Sequence, residues 1–262
     1  MKFTYFLLQL PPFVLLGIII LFFSVLGYAG TRLVRRFFKL TILRAHNEIV
    51  GYVFAVVGGF YGLLMGFVVF LVWDTMNTAQ NNANREGSLA RALYRDIRYF
   101  PEPARVQPLM NTYLKYVKVV VDTEFREMEQ MKEPSQGGHN LFNEVFTQME
   151  QLDAHEPKIE QMFNNLNELA TYRSLRQMDA SAEIPIEIWV PLLLGALIIM
   201  LFAMILDVES IRLHLFVTSL LSAFIGLVIY IILILDHPFT GKIKIEPTQY
   251  RVILKMSQPG SQ

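Results

Sequence analysis

Four long apolar stretches, separated by polar segments, dominate the pattern along the chain. They cover residues 13–29, 50–73, 188–206 and 215–235, and none of them contains Asp, Glu, Lys, Arg or His. A helix needs about 20 apolar residues to cross the hydrocarbon core of a bilayer. The pattern therefore predicts an all-α membrane protein with four transmembrane helices.

A polar segment, residues 74–185, separates the second apolar stretch from the third. Within it apolar residues recur at three-to-four spacing, the period of helices that bury one face. Pro and Gly residues interrupt this pattern at several points. We expect an inserted helical bundle that is continuous with the second and third spans.

These patterns divide the chain into four segments. They are the first transmembrane hairpin (residues 1–73), the polar helical domain (74–185), the second hairpin (186–235) and a C-terminal tail (236–262).

The first apolar stretch is predicted to be a retained span rather than a cleaved signal peptide. A signal peptide carries its basic residues before the apolar stretch. Here only Lys2 precedes it, and a basic cluster follows it, comprising Arg32, Arg35, Arg36 and Lys39.

Composition narrows the possible functions. Of the 262 residues, 53% are apolar and 18% are charged, and there is no Cys, which excludes disulfides and thiolate metal sites. The formal net charge is zero, so nothing points to nucleic acid. No enzyme motif occurs, and we expect no catalytic residue, no cofactor and no bound metal.

The orientation in the membrane stays open. Basic residues near span ends favour the cytoplasmic side. Six lie near span ends on the side of the two short loops, and six lie on the side of the insert. Taken alone, the basic residues that follow the first span favour an orientation with the insert outside the cytoplasm.

The second span carries the candidate pore residues. Gly58, Gly62 and Gly66 follow one another at four-residue spacing, which allows helix backbones to approach closely. The candidates for a hydrophobic constriction that gates by dewetting are Phe54, Phe60, Tyr61 and Phe67. The alternatives are helix packing for the glycines, and core or lipid-facing positions for the aromatic residues.

Two polar groups lie on the membrane face opposite the insert. They are the run His46, Asn47 and Glu48 before the second span, and Asp207, Arg212 and His214 between the last two spans. We expect a hydrogen-bonded network at the membrane interface, with a cation site of His and carboxylates as the alternative.

Short motifs in a particular order resemble a bacterial family of bestrophin-like membrane proteins, over roughly residues 33–247. The motifs are His46-Asn-Glu48 with Gly51, Tyr61-Gly-Leu-Leu64 with Phe67 and Trp73, Glu86 with Leu93-Tyr-Arg95, Arg173 with Arg176, Arg212-Leu-His-Leu215, and a turn after the fourth span that includes Asp236, Pro238, Phe239 and Gly241.

The resemblance implies a bestrophin-like architecture of two membrane hairpins joined by a helical domain. Bestrophins are pentameric anion channels whose second transmembrane helices surround the pore, so the second span here is expected to line one. Two features depart from that family. The acidic calcium-binding stretch of animal bestrophins is missing after Asp236, and the bestrophin neck motifs have no residue-by-residue match.

The leading hypothesis is an oligomeric, bestrophin-like anion channel in the bilayer, pentameric by analogy and conducting a small anion. In a bacterium it would lie in the inner membrane. One alternative is a membrane-anchored sensory or interaction module whose helical insert binds a partner. A weaker alternative is a membrane scaffold protein.

Overall fold

The computed structural model describes residues 2–37, 44–133, 135–152 and 156–258, and every regular element in those ranges is helical. The helices are α1 (Lys2–Leu8), α2 (Pro12–Phe37), α3 (Arg44–Arg98), α4 (Pro103–Val119), α5 (Phe125–Glu129), α6 (Gln136–Glu150), α7 (Pro157–Ala180), α8 (Ile186–Ile205), α9 (Ile211–Leu235) and α10 (Thr248–Met256). Lys39 of the basic cluster lies outside the described residues.

Helices α2, α3, α8 and α9 are long and apolar enough to cross a membrane. They contain the four predicted apolar stretches, so the prediction of an all-α protein with four transmembrane helices is confirmed. The second span does not end at the membrane. It belongs to α3, a single helix of 55 residues, which at about 1.5 Å per residue is far longer than a bilayer is thick.

The insert is continuous with the second span, as expected, because both belong to α3. It is not continuous with the third span. Helix α7 ends at Ala180 and α8 begins at Ile186. Pro185 stands between them, and a proline disfavours helical backbone at the residue before it. Pro103 and Pro157 are the first residues of α4 and α7, a position where the N–H that proline lacks would have no partner within the helix.

Contacts divide the chain into two compact units. The insert unit comprises Met1–Tyr5, Thr75–Ala182 and His237–Gln262, and the membrane unit comprises Phe6–Asp74 and Glu183–Asp236. The C-terminal tail, treated as a separate segment in the sequence, thus clusters with the insert.

In the membrane unit, α2 packs against α9 through small residues. A β-carbon at Gly27 would overlap the Ser222 hydroxyl and lie 2.8 Å from the Thr218 carbonyl oxygen. The Thr31 hydroxyl donates to the Thr218 hydroxyl at 2.9 Å. The two helices therefore approach closely enough for polar side chains to bond across the contact.

In the insert unit, an apolar core is formed by α4, α6, α7, α10 and the part of α3 that follows Thr75. The buried Tyr113 hydroxyl of α4 donates to the Ala90 carbonyl oxygen of α3 at 2.7 Å. Tyr250 and Ile253 of α10 are also fully buried in this core. The tail is thus an integral part of the bundle.

Candidate functional site

The membrane part of α3 has one face that packs inside the chain. Tyr61, Met65, Val68 and Val72 are buried there at three-to-four spacing, in a cluster with α8 and α9. The Tyr61 hydroxyl donates to the Leu192 carbonyl oxygen of α8 at 3.0 Å. This bond gives the tyrosine hydroxyl, the one polar group of the side chain, a hydrogen-bond partner where the hydrocarbon offers none.

A glycine on α8 makes room for the tyrosine. A β-carbon at Gly195 would lie 2.6 Å from the Tyr61 ring, so α8 can approach α3 only because this residue has no side chain. Phe54, which is half-buried, packs against the same cluster. Next to this face, a β-carbon at Gly58 would lie 3.9 Å from Ile199.

An adjoining face of α3 carries glycines that have open space around them within the described chain. We call Gly51, Gly59, Gly62 and Gly66 the glycine face, because a β-carbon added at any of them would have no described atom within 4 Å. Large exposed side chains flank it, namely Phe60, Leu63, Phe67 and Phe70.

Five of the candidate pore residues are thus split between two faces. Phe54 and Tyr61 lie on the packing face with Gly58 at its edge, whereas Gly62 and Gly66 are exposed on the glycine face. Successive residues of a helix are about 100° apart, which places Tyr61 and Gly62 on different sides. The structure therefore does not bring the aromatic ring of Tyr61 together with Gly62 and Gly66.

The predicted polar network exists in part, and its first component joins α3 to the loop before α9. The Asn47 side chain donates to the Asp207 carbonyl oxygen at 3.0 Å and accepts from the Asp207 backbone N–H at 2.9 Å. This reciprocal pair fastens the start of α3 to the end of the α8 segment within the membrane unit.

Arg35 completes the network, although the sequence pattern marked it merely as part of a basic cluster. It donates to His214 Nδ1 at 3.0 Å and to the Val208 carbonyl oxygen at 2.6 Å, and it lies 3.6 Å from the Asp207 carboxylate. His214 is buried, and its Nε2 lies 2.9 Å from the Ala203 carbonyl oxygen. Since Nδ1 accepts, Nε2 carries the proton and donates.

The remaining members of the predicted network, His46, Glu48 and Arg212, are exposed. Among the described residues, no group of three or more His, Cys, Asp or Glu side chains is arranged to hold a metal ion. Several of the observed hydrogen bonds involve Arg35, which lies in the last turn of α2, just beyond the first apolar stretch.

The turn after the fourth span has structural contacts. In the membrane unit, the Asp236 carboxylate accepts from the Ile184 backbone N–H at 2.8 Å, just before α8. In the insert unit, Phe239 is buried edge-on against Phe125, and the Pro238 carbonyl oxygen accepts from the Ile245 N–H. Gly241 has a φ of 86°, a conformation that favours glycine.

A cluster of buried ion pairs lies in the insert unit. Arg176 of α7 is fully buried and donates to the carboxylates of Glu86 at 2.6 Å and Glu124 at 2.7 Å. Arg173 donates to Glu124 at 2.6 Å, and the Tyr250 hydroxyl donates to Glu86 at 2.9 Å. Two arginines and two glutamates therefore balance each other inside the bundle.

A local irregularity places Glu124 in this cluster. Residues Val120–Glu124 form a π-helical turn, in which the Phe125 N–H bonds the Val120 carbonyl oxygen five residues back. Such turns shift the helical register and often mark functional sites. Gly138 of α6 also leaves space, since a β-carbon there would overlap the Glu124 carboxylate.

The pKa values of the cluster favour the charged forms of Glu124 and Arg176. Burial alone raises the pKa of Glu124, but Arg176 and Arg173 outweigh it, and the net pKa lies below the ordinary glutamate value. Burial alone lowers the pKa of Arg176, but Glu86 and Glu124 outweigh it, and the net pKa lies well above the ordinary arginine value. All the partners of Arg176 lie far away in sequence, so helical patterning did not reveal them.

Comparison with known proteins agrees with this architecture. A family model described as the Bestrophin-like domain matches residues 21–250. No curated protein matches the sequence. Among solved structures, a tryptophan-to-alanine variant of a bacterial bestrophin homologue from Klebsiella pneumoniae superposes with a TM-score of 0.69 at 16% identity, covering 90% of this chain and 96% of its own.

Two further crystal structures are similar. A leucine-to-threonine variant of the bestrophin homologue from Klebsiella pneumoniae has a TM-score of 0.63 at 16% identity and covers 93% of this chain and 98% of its own. A membrane protein with a proline-to-alanine substitution has a TM-score of 0.70 at 15% identity and covers 91% of this chain and 99% of its own.

The fold and the four long apolar helices define a multi-pass, all-helical membrane protein with a helical bundle inserted between its second and third spans. The matched family model covers most of the chain. The chain therefore belongs to the bestrophin-like family, as the resemblance in the sequence indicated.

Proposed function

We propose that this protein is a homo-oligomeric anion channel whose pore is lined by the glycine face of α3, with five copies by analogy with bestrophins. The observation that carries the proposal is that a β-carbon added at any of these glycines would meet no described atom, although α3 packs tightly along an adjoining face. A channel assembled from several copies gives the glycine face a function, because small residues allow α3 helices to approach one axis.

The chemistry of the spans supports a passive pathway. Ion-coupled carriers and proton relays use ionisable side chains within the membrane, and the four apolar stretches contain none. A hydrophobic constriction can open and close a pore by wetting and dewetting. Phe60 and Phe67, exposed beside the glycine face, are suited to such a constriction.

In this proposal the role of pore lining is assigned to Gly62 and Gly66. Phe54, Gly58 and Tyr61 support α3 from the side of α8, where Tyr61 is held by its bond to Leu192. The lipid bilayer covers the exposed apolar surfaces that the other copies do not.

A substitution at Gly62 tests the proposal. Gly62→Leu adds a bulky side chain at the proposed axis, and we expect anion flux from proteoliposomes to fall at least about tenfold, a loss that corresponds to about 1.4 kcal/mol of barrier. The matched control is Gly17→Leu on α2, which is also exposed, with no described atom within 4 Å of an added β-carbon. We expect the control to keep wild-type flux.

The oligomeric mass in detergent is measured for the same samples. Wild-type flux from a higher oligomer supports the channel. An absence of flux from a wild-type protein that is monomeric or dimeric would contradict it, and would favour a membrane-anchored module whose acidic insert binds a partner.

A further inference from the structure

A second polar feature lies in the insert unit, away from the buried ion cluster. A cavity of about 380 Å³ opens along one face of α3 near its end and reaches the end of α10 at Met256. Its walls include Arg91, Arg95 and Arg98 together with Tyr94, and we call it the arginine groove. A volume of this size suits a small ligand.

Helical spacing brings the three arginines of the groove together. Positions four and seven residues apart lie on the same side of a helix, so Arg91, Arg95 and Arg98 point in one direction. Like charges at such spacing repel each other. None of the described residues lining the groove is an Asp or Glu that would offset this charge.

The observed partners of these arginines leave most of their charge uncompensated. Arg91 donates to the Gln249 amide oxygen at 2.9 Å. Arg98 donates to the Tyr94 hydroxyl at 2.7 Å and to the Met256 carbonyl oxygen at 2.6 Å. These acceptors are all neutral, so they fix the guanidinium groups in place without neutralising them.

Arg95 has a carboxylate nearby, but the pair is weak. Its Nε lies 3.7 Å from the Asp96 carboxylate, and its side chain is 67% exposed. The second oxygen of Asp96 is already bonded to the Asn165 amide at 2.7 Å. Exposed ion pairs at such distances contribute little, so Arg95 remains available to a ligand.

We propose that the arginine groove binds a phosphate-bearing small molecule or headgroup. Guanidinium groups donate two parallel hydrogen bonds to phosphate oxygens, and several of them around one group match its charge and its many acceptors. Arg91 and Arg98 are held in place by their neutral partners, and the exposed Arg95 closes on the ligand. The insert as a whole has 17 acidic and 12 basic residues, so this basic groove is a local exception.

The test is a calorimetric titration of pyrophosphate into the full-length protein in detergent at fixed ionic strength. We expect saturable binding by the wild-type protein, weakened about tenfold or more by Arg95→Gln, since a hydrogen bond to a charged group is lost. The control is Arg126→Gln, an exposed arginine of the same unit outside the groove, which keeps wild-type affinity.

The source of the phosphate is settled by repeating the titration in phosphatidylcholine nanodiscs with and without a phosphatidylinositol phosphate. Weaker pyrophosphate binding in the presence of that lipid assigns the groove to a lipid headgroup, and equal affinity assigns it to a soluble phosphate compound. A wild-type protein that shows no saturable binding overturns the proposal. Equal loss of affinity in Arg95→Gln and Arg126→Gln overturns it as well.

Discussion

Arg176 is a single residue that links several elements of the insert unit. A charge taken out of water is stable only when it is paired and fully hydrogen-bonded. Arg176 meets this condition through Glu86 on α3 and Glu124 on the π-helical turn, and Tyr250 on α10 completes the bonding of Glu86. The cluster therefore joins α3, the π-helical turn, α7 and α10 through buried hydrogen bonds.

Removing the arginine leaves two buried carboxylates without their main partner. We expect Arg176→Met to destabilise the insert by about 3–5 kcal/mol, seen as a clear drop in apparent Tm in detergent. The control is Arg85→Met, which breaks the exposed pair with Glu168 and leaves Tm almost unchanged. Similar small effects from both substitutions would contradict the assigned role of the cluster.

The same cluster predicts a dependence on pH. The folded pKa of Glu124 lies below the ordinary value of about 4.3. Its contribution to stability is therefore fully present above that ordinary value, and it is lost as the pH falls through the folded pKa. Glu124→Gln removes this contribution while it keeps the shape of the side chain.

Apparent Tm measured between neutral and acidic pH checks this expectation. At pH 7 Glu124→Gln unfolds at a lower temperature than the wild-type protein. The gap begins to narrow below about pH 4.3 and closes once the pH is below the folded pKa, because protonation removes the charge that distinguishes the wild-type side chain. A gap that stays constant down to the acid limit would show that the carboxylate charge of Glu124 does not stabilise the fold.

At the scale of elements, the glycines with the most regular spacing, on α3, are not the ones at which helices of the chain pack closely. Gly62 and Gly66 of α3 belong to a regular four-residue spacing, yet an added β-carbon there would meet no described atom, whereas α2 and α9 are in tight contact at Gly27. On the fourth span, Thr218 and Ser222 lie at this contact, whereas Gly62 and Gly66 of the second span are exposed.

This difference gives a paired prediction. Gly27→Leu forces α2 away from α9, since the added side chain would overlap Ser222, and we expect loss of a monodisperse peak in size-exclusion chromatography. Gly17→Leu, on the same helix but with no described atom near an added β-carbon, keeps that peak. Equal behaviour of the two variants would mean that α2 and α9 do not pack as described.

Much of the fold could be predicted from the sequence because the length of an apolar stretch is seen in consecutive residues. The four spans and the helical insert are visible in consecutive residues. The partners of each helix face are not local. Tyr61 and Gly62 lie about 100° apart on the helix, but only the packing of α8 determines that Tyr61 is buried and Gly62 exposed. Arg35, the π-helical turn and the pairing of Arg176 were missed for the same reason.

At the scale of the whole molecule, the membrane unit leaves wide apolar surfaces for lipid and for other copies. Large side chains on all four long helices are exposed, among them Phe22, Phe67, Leu194 and Phe224. In the proposed oligomer, part of this surface is buried between copies, and the glycine face of α3 meets water at the axis. That assignment is the central claim about function.

Accessibility of a single thiol tests this claim most directly, because the chain contains no Cys. Gly62→Cys in proteoliposomes is treated with a charged, water-soluble methanethiosulfonate reagent, with Gly17→Cys as the control. A pore predicts that the thiol at position 62 is modified and anion flux falls, while the control is unmodified and conducts normally. Flux that persists with an unmodified thiol at position 62 would place this face of α3 away from the pathway.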